Sequence, residues 1–270
     1  MARRPPERRA RWPQTDGRSP MNESARPTGP RLLLWSALGT VLAVRARAGS
    51  LHESAELQRR STPLQRLPAQ PSMRLLIVGD STAVGTDATV PEGSLAGVLV
   101  RGFPRLQIVN RSRDGATFAG LLAQLDGDEW FDRVLVMAGG NDVAPLRGLR
   151  SIQNDFDHVT QRARRRADLV VLMPAGNVGN VPFFLALVSW WMTWRSRRLH
   201  AVVDAAASRH GAVVVDLFRE HTDDPFVERP ARNASDGLHR SDAGYRVWFD
   251  ELMAKAALSP RLAAAETSDR

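Results

Sequence analysis

Residues 74–82 read Arg74-Leu75-Leu76-Ile77-Val78-Gly79-Asp80-Ser81-Thr82. Four consecutive aliphatic side chains without polar alternation suit a strand buried on both faces, as in a parallel sheet covered by helices. The Gly-Asp-Ser that follows breaks the run with turn-forming residues and leaves a hydroxyl at the strand's carboxyl end. The same punctuation recurs downstream. Short apolar runs at 106–109, 134–137, 169–173 and 212–215 alternate with helical patterns near 93–102, 117–125, 149–166 and 183–208. A last helical pattern runs from Ser241, suited to an N-cap with Asp242 in the first turn, to about residue 258. This alternation predicts one doubly wound α/β domain over residues 74–260, a parallel sheet between two helical layers.

Upstream the character changes. Residues 1–30 are rich in Arg, Pro, Gly and Ser and read as a disordered extension. Residues 31–48 contain a 13-residue apolar run, 32–44, which is shorter than the roughly 20 residues that a bilayer span needs. Its length suits a signal-peptide core, with Ala46-Arg47-Ala48 as a small-x-small cleavage pattern. Arg45 and Arg47, and the positive charge on both flanks, suit an uncleaved interfacial anchor equally well. Either reading makes the chain exported or membrane-associated, while a helix packed on the domain surface would leave a cytoplasmic protein. Residues 49–73 read as a polar, Pro-containing linker and 261–270 as a disordered tail.

The formal charge of +8 invites a nucleic-acid reading, but its location argues against one. Residues 1–74 carry 14 Arg and 5 acids, whereas residues 75–270 carry 23 basic and 24 acidic residues. The basicity therefore belongs to the extension, where Arg is dispersed and unaccompanied by stacking aromatics, so no nucleic-acid partner is expected. The chain has no Cys, which excludes disulfides, a thiolate nucleophile and Cys-ligated metal centres. His52, His158, His200, His210 and His221 lack metal-ligand spacing, and Gly176–Gly179 lacks a phosphate-binding pattern, so neither metal nor nucleotide cofactor is expected.

In open α/β sheets the chemistry gathers where loops leave the carboxyl ends of the strands. The first loop carries Gly79-Asp80-Ser81 and the second Asp114-Gly115-Ala116. The third carries Gly139-Gly140-Asn141-Asp142, and Asp236-Gly237-Leu238-His239 precedes the last helix. A Ser hydroxyl attacks an acyl carbon only when a base takes its proton and an acid orients that base. His239 is the candidate base and Asp236 the orienting acid, with Ser81 as nucleophile. The developing oxyanion needs donors placed in advance, and the Ser81 and Gly115 backbone N–H groups and the Asn141 amide are the available set. Asp80 and Asp142 are expected to serve the backbone around these turns.

These four blocks, in this order, resemble those of SGNH hydrolases, the GDSL esterase and lipase superfamily. Gly-Asp-Ser at 79–81 is similar to the nucleophile block, Gly115 to the oxyanion glycine, Gly-x-Asn-Asp at 139–142 to the asparagine block and Asp-x-x-His at 236–239 to the acid–base block. The resemblance implies a three-layer α/β/α, flavodoxin-like fold with a five-stranded sheet in the order 2-1-3-4-5, a covalent acyl-enzyme and no cofactor. Three positions depart from the pattern: Thr82 where Leu is common, Arg240 where Pro often follows the His, and Asp114, whose carboxylate beside the oxyanion glycine would oppose a developing anion unless it points away.

Residues 181–194 are apolar nearly all round as a helix and include Phe183, Phe184, Leu187, Trp190, Trp191 and Trp194. They end in Arg195-Ser196-Arg197-Arg198, a make-up that suits an interfacial helix with rings at headgroup level and guanidinium groups toward phosphates. One expectation is that this segment borders the active-site mouth and receives an acyl chain or leans on a membrane surface; the other is an ordinary core helix. The expected activity is hydrolysis of a small-molecule ester, lipid-like or a lysophospholipid. The alternatives are a carbohydrate O-acetyl esterase or acyltransferase using the same residues, and a non-catalytic membrane-tethered module of the same fold. The sequence leaves the oligomeric state open.

Overall fold

The computed structural model describes residue 52 and residues 54–144 and 147–256. Five strands, β1 (Met73–Gly79), β2 (Leu106–Asn110), β3 (Phe131–Ala138), β4 (Ala167–Pro174) and β5 (Val213–Val214), form one sheet in the order β2-β1-β3-β4-β5. Every pair is parallel. The helices that position the site are α1 (Ser81–Val84), α2 (Leu95–Gly102), α3 (Phe118–Gln124), α4 (Gly140–Val143), α5 (Leu149–Arg164), α6 (Ala186–His210), α7 (Pro225–Glu228) and α8 (Asp242–Lys255).

The uninterrupted aliphatic runs follow from burial on both faces. Leu76, Val78, Val134, Val136, Val170 and Leu172 point to a layer closed by side chains of α3, α5 and α6, among them Phe118, Phe156 and Leu199. The intervening Leu75, Ile77, Leu135, Met137, Val171 and Met173 point the other way, against Leu95, Leu99, Tyr245 and Trp248 of α2 and α8. A polar residue at any of these strand positions would lose its water without gaining a partner. Ser241 sits at the N-cap of α8, but its hydroxyl donates to the Ala231 carbonyl and does not cap the helix.

The stretch expected as a linker is docked over much of its length. Residues 54–60 are helical, and Arg66 pairs antiparallel with Ile108 of β2, each backbone N–H donating to the other's carbonyl. Gln65 donates to the Asn110 carbonyl and accepts from the Asn110 N–H, while Leu64 packs against the α2–α8 layer. The reason is the sheet edge: β2 would otherwise present unpaired backbone groups. The expected extension 1–30, the apolar segment 31–48 and the tail 261–270 lie outside the described residues. Among the described residues no helix is long and apolar enough to cross a membrane.

Strands β1 and β3 are neighbours although β2 lies between them in sequence, so successive crossovers leave the sheet in opposite directions here. Gly79 is paired with Met137 at this switch point, which brings the loops after β1 and β3 side by side.

Candidate active site

The Gly79-Asp80-Ser81 turn is set by close packing. A Cβ on Gly79 would come 2.0 Å from the Met137 carbonyl oxygen, so only glycine lets β1 run beside β3 at this point. Asp80 then caps α1: its carboxylate accepts from the Thr82 N–H at 3.0 Å and the Thr82 hydroxyl at 2.7 Å. Burial pushes the Asp80 carboxyl up to about 6 against those two bonds. The cap presents Ser81 at the first position of α1, where a helix leaves its N–H without an intrahelical acceptor.

Ser81, His239 and Asp236 are brought together across the molecule. The Ser81 hydroxyl lies 3.0 Å from His239 Nε2, and His239 Nδ1 lies 2.6 Å from Asp236 Oδ2. All three residues are buried. The other oxygen of Asp236 accepts from the backbone N–H groups of Leu238 and His239 at 2.8 and 2.9 Å, so one carboxylate holds both the ring and the main chain of His239. Burial alone would raise the Asp236 carboxyl; its bonds and charge attraction to His239, with the Leu238 N–H, outweigh burial and hold it below the ordinary value. The geometry is that of a hydroxyl-to-imidazole proton transfer with the imidazolium stabilised from behind.

Asn141, on α4, lines the same cavity as Ser81 and His239. Its amide donates to the Ala116 carbonyl at 3.1 Å, which ties it to the Gly115 loop. Gly115 has φ +70 with open space where a Cβ would stand, and it is not among the residues that line the cavity. The Asp114 carboxylate accepts from the Thr86 hydroxyl at 2.6 Å, and the Thr86 carbonyl accepts from the buried Tyr245 hydroxyl at 2.9 Å. Asp114 is thus turned toward Thr86, and burial raises its pKa against that bond.

Asp142 and Arg195 hold this corner. The Asp142 carboxylate accepts from the Phe118 N–H at 3.0 Å and from Arg147 at 2.5 Å, and burial raises it despite both. Arg195, 5% exposed, donates from Nε to the Val143 carbonyl at 2.7 Å and from Nη2 to the carbonyls of Asp142 at 3.0 Å and Arg147 at 2.9 Å. The expectation that all three arginines of 195–198 face outward is therefore corrected: Arg195 is a buried clamp, because the turn after Asn141 exposes carbonyls that α4, only four residues long, cannot satisfy. Arg197 pairs with Glu220, and Arg198 lies over the Trp194 ring.

The cavity measures about 150 Å³, with Val178, Val181, Phe184, Leu238 and Trp248 among its apolar walls. Of the expected lipid-contact residues, Phe184 lines it and Phe183 packs edge-on against Phe184 at 5.2 Å. Leu187, Trp190 and Trp194 point outward, 89%, 71% and 37% exposed, and Trp191 packs partly into the core beside Arg195. Gln58 also lines the cavity, from the stretch expected as a linker, where no periodicity marks it in the sequence. Arg240, in the sequence only a departure from the family pattern, is a cavity wall. Among the described residues no cluster of His, Asp or Glu suits a metal ion.

The model of the GDSL-like Lipase/Acylhydrolase family matches residues 77–247. The chain belongs to this family. It is an ester-hydrolysing enzyme, and the match spans the Gly79-Asp80-Ser81 turn, the Asn141 corner and the Asp236–His239 turn. Three solved structures share its fold. LAE5, an alpha/beta hydrolase from the metagenome of Lake Arreo, Spain, is 23% identical over 68% of this chain and 95% of its own, with a TM-score of 0.53. A member of the lipolytic protein G-D-S-L family from Veillonella parvula DSM 2008 is 15% identical over 67% and 97%, with a TM-score of 0.57. Axe2, an acetylxylan esterase from Geobacillus stearothermophilus, is 22% identical over 70% and 95%, with a TM-score of 0.51. No curated protein matches the chain.

Proposed function

We propose that this enzyme hydrolyses lipid-like carboxylic esters at a membrane surface through an acyl-enzyme on Ser81. Ser81 Oγ attacks the ester carbonyl carbon as its proton passes to His239 Nε2. The carbonyl oxygen gathers negative charge between the Ser81 and Gly115 N–H groups and the Asn141 amide. His239 then protonates the departing alkoxide, and in the second half takes a proton from water as that water attacks the acyl carbon, then returns it to Ser81 Oγ as the acid leaves. Asp236 keeps Nδ1 protonated throughout. The observation that carries the catalytic reading is the pair of distances, 3.0 and 2.6 Å, that links a buried hydroxyl, imidazole and carboxylate in one line.

The lipid reading is supported by continuity. Phe184 belongs to the cavity wall, and the chain runs directly from it into the exposed Leu185, Leu187, Val188 and Trp190. Residues 169–203 contain no acid, and Arg198 over Trp194 extends the apolar stripe with a cation, which suits a bilayer carrying negative charge. The full chain, beside Ser81→Ala, should hydrolyse p-nitrophenyl esters with kcat/KM rising from acetyl toward longer acyl chains. Activity confined to acetyl would replace the lipid reading with the carbohydrate O-acetyl one, the substrate class that Axe2's name records.

A further inference from the structure

Arg240 follows His239 directly and is a wall of the catalytic cavity, yet the acyl-transfer chemistry gives it no task. Its side chain is 8% exposed. The guanidinium carbon lies 4.0 Å from the centre of the Phe226 ring and 5.5 Å from that of Trp248, so the charge rests against two aromatic rings. Contact of a guanidinium with aromatic rings uses none of its N–H groups in a conventional hydrogen bond, so these still seek acceptors. Asn233 takes one Nη1 hydrogen and holds the group in place. The Nε and Nη2 hydrogens bond to no described residue. No carboxylate of the described residues comes within ion-pair distance: Asp224 is engaged by Asn180 and the Phe226 N–H, and Asp236 by His239. Among the residues lining the cavity, Arg240 is the permanent cation.

We infer that Arg240 is a specificity residue that receives a phosphate or carboxylate carried by the ester substrate. A nearly buried cation that Asp224 and Asp236 attract without pairing with it is incompletely compensated, and the Nε–Nη2 fork fits two oxygens of one anion. A neutral ester leaves that deficit standing, whereas an anionic one removes it on binding. Burial lowers the Arg240 guanidinium to about 10, so it stays charged at neutral pH. The inference rests on the reading of this cavity as the ester-hydrolysing site.

The test compares 1-octanoylglycerol with 1-octanoylglycerol 3-phosphate and with the octanoyl ester of glycolate, using the full chain and the variants Arg240→Gln and Arg240→Lys. The wild type should favour at least one anionic ester over the neutral one by tenfold or more in kcat/KM, mainly through KM. Arg240→Gln should bring that ratio close to one, and Arg240→Lys should keep part of it. A wild-type ratio near one, or a ratio that survives in Arg240→Gln, overturns the inference. If Arg240→Gln does not fold, inhibition of the wild type decides: octyl phosphate should compete at least tenfold more tightly than octanol, and equal inhibition overturns the inference. Inorganic phosphate inhibiting as well as octyl phosphate would assign the site to the free ion and overturn the substrate reading. Absence of Ser81-dependent turnover of every ester is a different result, because it removes the hydrolase reading itself.

Discussion

Replacing Arg195 with Met should slow catalysis although Arg195 touches neither substrate nor triad. Its guanidinium satisfies the carbonyls of Asp142 and Val143, directly after Asn141, and that of Arg147. Met fills much of the same volume but donates nothing, so three carbonyls lose a charged donor in a buried corner. At roughly 1–3 kcal/mol for each orphaned polar group, with partial relaxation, the fold should lose about 3–5 kcal/mol. The relaxation itself moves Asn141. Complete loss of one oxyanion donor costs about 10²–10³ in kcat, so a displaced donor should cost about ten- to a hundredfold with little change in KM. Both quantities are measurable at 15 °C, with unfolding in urea for stability and p-nitrophenyl ester turnover for kcat and KM. The decisive comparison is Arg195→Met/Asn141→Ala against Asn141→Ala alone. If Arg195 acts through Asn141, the double variant has the kcat of the single one. Multiplicative losses, or an Arg195→Met enzyme of wild-type kcat and lowered stability, would refute the reasoning.

Two further outcomes follow from charge and exposure. Asp80 titrates near 6 in the fold against an ordinary 3.8, so the folded protein holds its proton more tightly. Its contribution to stability is complete below about pH 4 and is lost as pH rises through 6, a change of about 3 kcal/mol. Asp80→Asn can keep the bonds from Thr82 without ionising, so its stability relative to wild type should climb between pH 4 and 6; parallel urea-unfolding curves across that range would contradict this. The double variant Trp190→Ser/Trp194→Ser should lose co-sedimentation with vesicles containing phosphatidylglycerol while its Tm stays within about 3 °C, since both rings are outside the core. Undiminished vesicle binding would move the contact elsewhere.

What could be read from the sequence was what depends on local order along the chain. The strands are legible because both faces of the sheet are covered, so Leu75 and Leu76, pointing opposite ways, are both apolar. The catalytic turns are legible because Asp236 and His239 lie three residues apart, and the bond between them needs only the local turn that Gly237 permits at φ +66. Partners distant in sequence were not legible. Which way Asp114 points is decided by Thr86, 28 residues away, and the fate of Arg195 by carbonyls 48 to 53 residues away. Residues 65 and 66 gave no strand signal, since two residues patching the edge of β2 have no period to display.

Helix α6 joins the two cases, because its apolar residues serve opposite faces in succession. At 3.6 residues per turn, Leu187, Trp190, Trp194 and Arg198 fall on one stripe, and Met192, Leu199 and Val203 fall on the stripe opposite. The first stripe is exposed along the N-terminal half of the helix, whereas the second is buried from Met192 onward. Summed along the segment, the two stripes cancel, so its apolar residues read as surrounding the helix and neither the interfacial nor the core expectation could be chosen. Both describe part of it. Arg195 falls on the inward side of the helix one residue after Trp194, and it is buried for the same reason that Trp194 is not. The helix passes from open surface to the Asn141 corner within a single turn, and side-chain direction changes sooner than composition does.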